Sequence, residues 1–229
     1  MALARFFGRA SLAASQVLRG FDPEEFEKAL NERVVGVFFD DDAATSPEGR
    51  ACLALATNLL ARFYPRIAIV AEGAAAGELV ESLVSGVRAI NPEISIEPTL
   101  EGAAACLVVG STEVTVECPA VYVGSDGWLA RVSSRTPVDL GTTTNPFRAG
   151  AAACFGVANV FRALFGAQLP SSDLDDFSMS LLDLDPSAPA SPGPELEQTD
   201  LGDSYLVGPG AVGNGAVWAL SRLPEARGV

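Results

Sequence analysis

The sequence predicts an α/β fold, with a mostly parallel sheet and helices on both of its faces. Three observations carry that expectation. Continuous apolar runs rich in β-branched residues, at 34–39, 66–71 and 105–110, have the pattern of strands covered on both sides. Helical stretches separate the first two, and strands alternating with helices build a layered α/β sandwich. The composition, 48% hydrophobic and 19% charged over 229 residues, supports a sizeable core and excludes wholesale disorder.

The elements follow in order. Residues 1–20 carry Arg5, Arg9 and Arg19 and no acid. They read as an amphipathic helix docked on the domain, with an organellar transit peptide as the alternative. Asp22, Pro23 and Glu25 open a helix that runs to about Glu32, and Phe21 and Phe26 stand at hydrophobic-staple positions. The strand at 34–39 ends in Asp40-Asp41-Asp42, and a helix at 48–63 is stopped by Pro65. A strand at 66–71, a helix at 77–89 ended by Asn91-Pro92, and a short strand at 94–97 precede the third apolar run. Residues 114–117 and 120–124 read as further strands, and 128–133 as an antiparallel one. Asn145-Pro146 open a nearly all-apolar helix through Phe165, closed by Gly166, which must be buried or lie at an interface.

Beyond it, Asp173, Asp175, Asp176, Asp183 and Asp185 form a solvated acidic stretch that leads into a linker marked by Pro186, Pro189, Pro192 and Pro194. The expected organisation is a helix at 1–20, an α/β domain at 21–182, a Pro/Ser/acid-rich linker at 183–200 and the start of a second unit at 201–229.

Charge and absences narrow the chemistry. With 15 basic and 29 acidic residues the net charge is −14, which argues against nucleic acid and anionic membranes as partners. No run approaches the roughly 20 apolar residues of a membrane span. The chain has no histidine, so Ser-His-Asp and Cys-His machinery and His-ligated zinc are excluded within it. Lys28 is the lone lysine, and no glycine loop stands beside it. Cys52, Cys106, Cys118 and Cys154 form no C-x-x-C pair and read as reduced, buried thiols of a cytoplasmic protein. No catalytic residue and no metal ligand are assigned.

The most informative segment is the last. A short strand at 204–207 runs into Gly208-Pro209-Gly210-Ala211-Val212-Gly213-Asn214-Gly215, and a helix follows. This is G-x-G-x-x-G in a strand–turn–helix context. The first glycine permits the tight turn, the second lets backbone approach a phosphate, and the third lets helix and strand pack closely. A Gly-rich turn without a ligand is the plainer reading. A ribose-binding acid belongs about 20 positions further on. Only 229 − 213 = 16 residues follow Gly213, so the protein is expected to continue beyond Val229.

This turn resembles that of ThiF-type adenylyltransferases, the superfamily of ubiquitin- and sulfur-carrier-activating enzymes. Gly213-Asn214-Gly215-Ala216 and Trp218-Ala219-Leu220 carry the resemblance. Asn145-Pro146-Phe147, with Ala151-Ala152-Ala153 and Val160-Phe161-Arg162-Ala163-Leu164, is similar to a helix of the same superfamily. The N-terminal α/β region shares the resemblance loosely. The resemblance implies a Rossmann-like sheet and ATP, with Mg2+ in the full-length enzyme. Gly208, Gly210, Ala211, Val212, Gly213 and Asn214 would bind the nucleotide. A ubiquitin-like or sulfur-carrier protein would be the partner, in a homodimer or an intramolecular pseudo-dimer. Residues 21–182 would then be a degenerate half, since Asp40-Asp41-Asp42 stand where an active half carries glycines.

Two other functions stay open: a fragment of an NAD- or FAD-dependent oxidoreductase, and a non-catalytic dimerisation or docking module. A strand ending in D-x-D also resembles a haloacid-dehalogenase phosphatase. Lys28 lies upstream rather than downstream, however, and Ala43 departs from that pattern, so turn and capping roles fit these acids better.

Overall fold

A computed structural model describes residues 7–171, 176–184, 193–196, 202–208 and 210–223. Its helices are α1 (Phe7–Val17), α2 (Pro23–Glu32), α3 (Asp41–Thr45), α4 (Pro47–Phe63), α5 (Ala74–Ile90), α6 (Pro146–Phe165) and α7 (Ala211–Leu220). Its strands are β1 (Val34–Asp40), β2 (Arg66–Glu72), β3 (Ser95–Glu97), β4 (Ala103–Val109), β5 (Ala120–Asp126), β6 (Leu129–Ser133) and β7 (Phe177–Ser180). They form one sheet in the order β3-β2-β1-β4-β5-β6-β7. The pairings from β3 to β5 are parallel, and β6 and β7 are antiparallel additions. The chain winds outward from β1 to β3 and re-enters on the other side at β4. The order therefore reverses between β1 and β4, the switch point of a Rossmann-like sheet.

The apolar runs are continuous because both faces are covered. Val35, Val37 and Phe39 join Ile67, Leu107 and Val123 in the core shared with α1 to α6. Phe38 points the other way, beside Cys106, Val108 and Tyr122. That second face is packed by Leu100, Val114, Val116 and Val138, which lie in loops. The expected mostly parallel α/β sheet is present. Among the described residues, though, α1 to α6 share one face, and loops replace the helices expected on the other.

The cause is local. The link from β4 to β5 is short and rich in β-branched residues, a poor helix former. Its residues 114–117 nonetheless form no strand. Exposure alternates residue by residue from 111 to 120, so the period-2 pattern is real, but the segment lays its alternate side chains on the sheet without joining the ladder.

The helix signals are met as their chemistry requires. Asp22 Oδ1 accepts from the Glu24 and Glu25 amides at 2.9 Å each, and the Phe21 and Phe26 rings lie 5.4 Å apart. Asn145 Oδ1 accepts from Phe147 N at 3.0 Å at the start of α6. Arg33 Nη1 donates to Leu164 O at 2.7 Å at its other end. Residues Pro146–Gln168 are long and apolar enough to span a membrane by length and composition, against the sequence expectation. Here α6 packs on β4, β5, β6 and α4. Leu18 and Ala14 of the N-terminal segment are buried, and Arg19 N donates to Gln168 O at 2.7 Å.

Three short elements escaped the sequence reading: α3, β7 and a single 3-10 turn at Gly166–Gln168. Asp176 is not merely solvated: its carboxylate accepts from Ser134 N and pairs with Arg135 Nε at 3.2 Å, which anchors the approach to β7. Asp173, Asp175 and Asp185 lie outside the described residues, as does most of the linker.

Candidate functional site

In an open α/β sheet the ligand crevice lies outside the carboxyl ends of the strands, at the switch point. Here that crevice is filled by protein. Gly110 follows β4 with φ +103°, and a Cβ on it would stand 3.2 Å from Leu140 Cδ1, 3.4 Å from Ala43 Cβ and 3.8 Å from Asp40 Oδ1. The loop that carries Leu140 thus plugs the place between β1 and β4.

Two of the three aspartates at the end of β1 are helix caps. Asp40 Oδ1 accepts from Ala43 N at 3.0 Å and opens α3. Asp41 Oδ1 accepts from Ala76 N at 2.8 Å and caps α5, whose own N-cap, Gly73, has no side chain to do so. Gly73 adopts φ +110°, and a Cβ there would fall 2.2 Å from Asp41 Oδ1. A carboxylate therefore occupies the helix N-terminus where an anion would sit. Asp42 is exposed. Among the described residues no group of three or more candidate metal ligands is found.

Beside this plug lies a buried ion pair that the sequence reading missed. Glu48, in the first turn of α4, and Arg148, in the first turn of α6, are both fully buried. Arg148 Nη2 donates to Glu48 Oε1 and to Thr143 Oγ1. Thr143 N also donates to Glu48 Oε1 at 2.8 Å, and Ser125 Oγ to Oε2 at 2.6 Å. Burial pulls the Arg148 guanidinium below its ordinary value, while Glu48 and Asp126 push the other way. A lone arginine in the apolar sequence Pro146-Phe147-Arg148-Ala149-Gly150 was the available signal. A residue of that kind inside a buried helix needs a buried partner.

The glycine turn stands apart from the sheet. Gly208 has φ +81°, and a Cβ on Gly213 would meet its carbonyl oxygen at 2.6 Å, so these two glycines are required by the backbone. Gly210 N donates to Gly208 O at 2.8 Å, and Gly210 O accepts from Asn214 N at 2.8 Å and Asn214 Nδ2 at 3.0 Å. Gly210 is extended, φ −74° and ψ −164°, with open space where a Cβ would go. Ala211 begins α7, whose first turn has no side-chain cap, and Val212 is exposed.

The turn thus brings Gly208, Gly210, Gly213 and Asn214 together and leaves the first amides of α7 without a side-chain acceptor. That is the donor set a phosphate needs. The strand expected at 204–207 is absent: the segment is exposed and has no regular secondary structure. A strand exists through its neighbours' backbone groups, and no sheet partner is seen among the described residues.

At its other end α7 meets the domain. A Cβ on Gly150 of α6 would lie 2.8 Å from Trp218 Cζ3 and 3.6 Å from Leu55 Cδ2, so the indole fills the notch that this glycine leaves. Arg222 Cζ lies 4.5 Å above the Trp218 ring. Arg222, Arg50, Thr45, Thr144 and Asn145 border a cleft of about 410 Å3 between the first turns of α4 and α6.

The cysteines are not poised for chemistry. Burial pushes the Cys52 and Cys106 thiols up to about 12, and the Cys118 and Cys154 thiols are raised as well. Cys154 is exposed, contrary to the expectation of buried thiols.

These features define a Rossmann-like α/β chain whose own switch point is plugged and which ends, among the described residues, in a glycine turn and helix. The chain belongs to prokaryotic E2 family C, whose family model matches residues 38–166. It is 45% identical over 223 residues to the uncharacterized protein y4jF of Sinorhizobium fredii; the alignment covers 97% of this chain and 43% of that protein. The chain thus spans less than half the length of this curated relative.

Among solved structures its fold is similar to that of selenomethionine PaaA, with a TM-score of 0.55, 12% identity and 78% and 80% of the two chains covered. It is also similar to Escherichia coli MccB, solved with selenomethionine MccA and with ATP. In each case the TM-score is 0.51, the identity 11% and the coverage 72% of this chain and 66% of MccB.

Proposed function

We propose that this chain is part of an ATP-dependent enzyme that adenylates the C-terminal carboxylate of a ubiquitin-like or sulfur-carrier protein and releases pyrophosphate. The observation that carries the reading is the turn at Gly208–Asn214, a folded G-x-G-x-x-G whose following helix has no side-chain cap. Two similarities support it. MccB, which shares the fold, has been solved with ATP and with MccA. The chain's own family is named for E2 proteins.

In this reading the turn and the first amides of α7 hold the ATP phosphates, and bound ATP supplies the leaving group. Catalysis rests on positioning and on neutralising phosphate charge, which suits a chain without histidine. The sheet domain serves as scaffold, because acids and Leu140 fill its own crevice. Cys52 and Cys106 are buried in the core, so neither is placed to carry a substrate.

The test is carrier-dependent ATP–pyrophosphate exchange in the longer protein that contains this chain, run with wild type and Gly210→Val. A Cβ at Gly210 meets open space, and its φ is one that L-residues adopt. Exchange and ATP binding are expected to vanish in the variant while its melting temperature stays unchanged. Retained ATP affinity in a folded Gly210→Val protein would show that this turn is not the phosphate site. NADH binding without exchange would point to an oxidoreductase instead.

A further inference from the structure

We infer that Trp218 is a positioning residue for the glycine turn: seated in the Gly150 notch, its indole holds α7 in the conformation that presents the phosphate-binding amides. The inference rests on the ATP reading of that turn and adds to it the element that keeps it formed. α7 has ten residues, fewer than the roughly 12–15 an isolated helix needs to persist in water. Residues 212 and 214–217 are exposed, so the first turns of the helix bury little beyond Gly213. Burial is concentrated at the far end, where Ala219 is 7% exposed and Trp218 lies on Gly150 of α6.

Gly150 makes the seat possible, since any Cβ there would fall 2.8 Å from the ring. Arg222 closes it from above, with Cζ 4.5 Å from the ring centroid and Nη1 donating to Trp218 O at 2.9 Å. The anchor and the turn share one short helix, so releasing the indole removes the packing that keeps α7 helical. The amides that face the phosphate are then ordered only part of the time. Apparent affinity falls by the fraction of molecules that keep the competent form.

The experiment uses two variants and three readouts. In a Trp128→Phe background Trp218 is the lone tryptophan of this chain. Gly150→Leu fills the notch from the α6 side with a better helix former. Trp218→Ala, which adds no atom to α6, covers the case in which the larger side chain disturbs folding.

The expected result is a red-shifted Trp218 emission in Gly150→Leu, ATP binding weakened about tenfold in both variants, and an unchanged melting temperature for the α/β domain. Trp218→Phe should recover part of the lost affinity. Unchanged emission in Gly150→Leu, or red-shifted emission with wild-type ATP affinity, overturns the inference alone. A wild-type protein that takes up no ATP overturns the parent reading and this one with it, and the emission shift then still reports whether the seat exists.

Discussion

Glu48 and Arg148 show how much one residue pair can fix. Each is fully buried, and together with Thr143 and Ser125 they tie the first turns of α4 and α6 to the end of β5. Removing one partner strands the other charge away from water, at about 3–5 kcal/mol. Glu48→Leu should therefore lower the melting temperature by roughly 10 °C, at about 2–4 °C per kcal/mol for a chain of this size. The double variant Glu48→Leu/Arg148→Met should recover most of it, since an apolar replacement of a buried pair is often neutral. A single variant that melts like wild type would show that the pair contributes nothing. The pair was only half legible in the sequence. Arg148 stood out in an apolar helix, whereas Glu48, beside Ser46 and Pro47, looked like an ordinary first-turn acid. Nothing local in a sequence says which distant residue a buried charge will meet.

At the scale of elements, the cap that Asp41 supplies to α5 joins two βα units through one carboxylate. Asp41→Ala should cost about 1 kcal/mol, the usual loss for a removed cap. Hydrogen exchange at the Ala76 amide should accelerate at the same time. Asp42→Ala, on an exposed acid, should stay within about 0.5 kcal/mol of wild type. Equal effects of the two would mean that the acids act through general charge and not through the cap. Helices and central strands were legible because Phe26, Leu30, Val35 and Val37 sit where burial demands apolar residues. Residues 114–117 were misread because of their alternation, and 204–207 because of their apolar β-formers. Alternation reports which side chains are covered, while a strand also needs neighbouring backbone to bond, and no run of side chains records that.

For the whole molecule, burial sets an alkaline limit. The Cys52 and Cys106 thiols rise from the ordinary value of 9.0 to about 12, and burial raises the Tyr64 hydroxyl too. A folded-state value above the unfolded one favours the native state fully below pH 9. That contribution is lost as pH climbs toward 12, because the unfolded chain sheds these protons first. Melting temperatures should hold to about pH 9 and then fall, and Cys52→Ala/Cys106→Ala should flatten the fall. A decline equally steep in the double variant would place its origin elsewhere.

The outer strands carry a consequence for synthesis. β6 ends at Ser133 and its partner β7 begins at Phe177, 177 − 133 = 44 residues later. At about 5–20 residues per second, the ribosome needs roughly 2–9 s to deliver that partner. For those seconds the nascent chain offers an open edge at Leu129–Ser133, the kind of edge that invites pairing with a neighbouring polypeptide. Slowing translation across α6 should therefore increase aggregation of the newborn chain more than slowing it anywhere before β6.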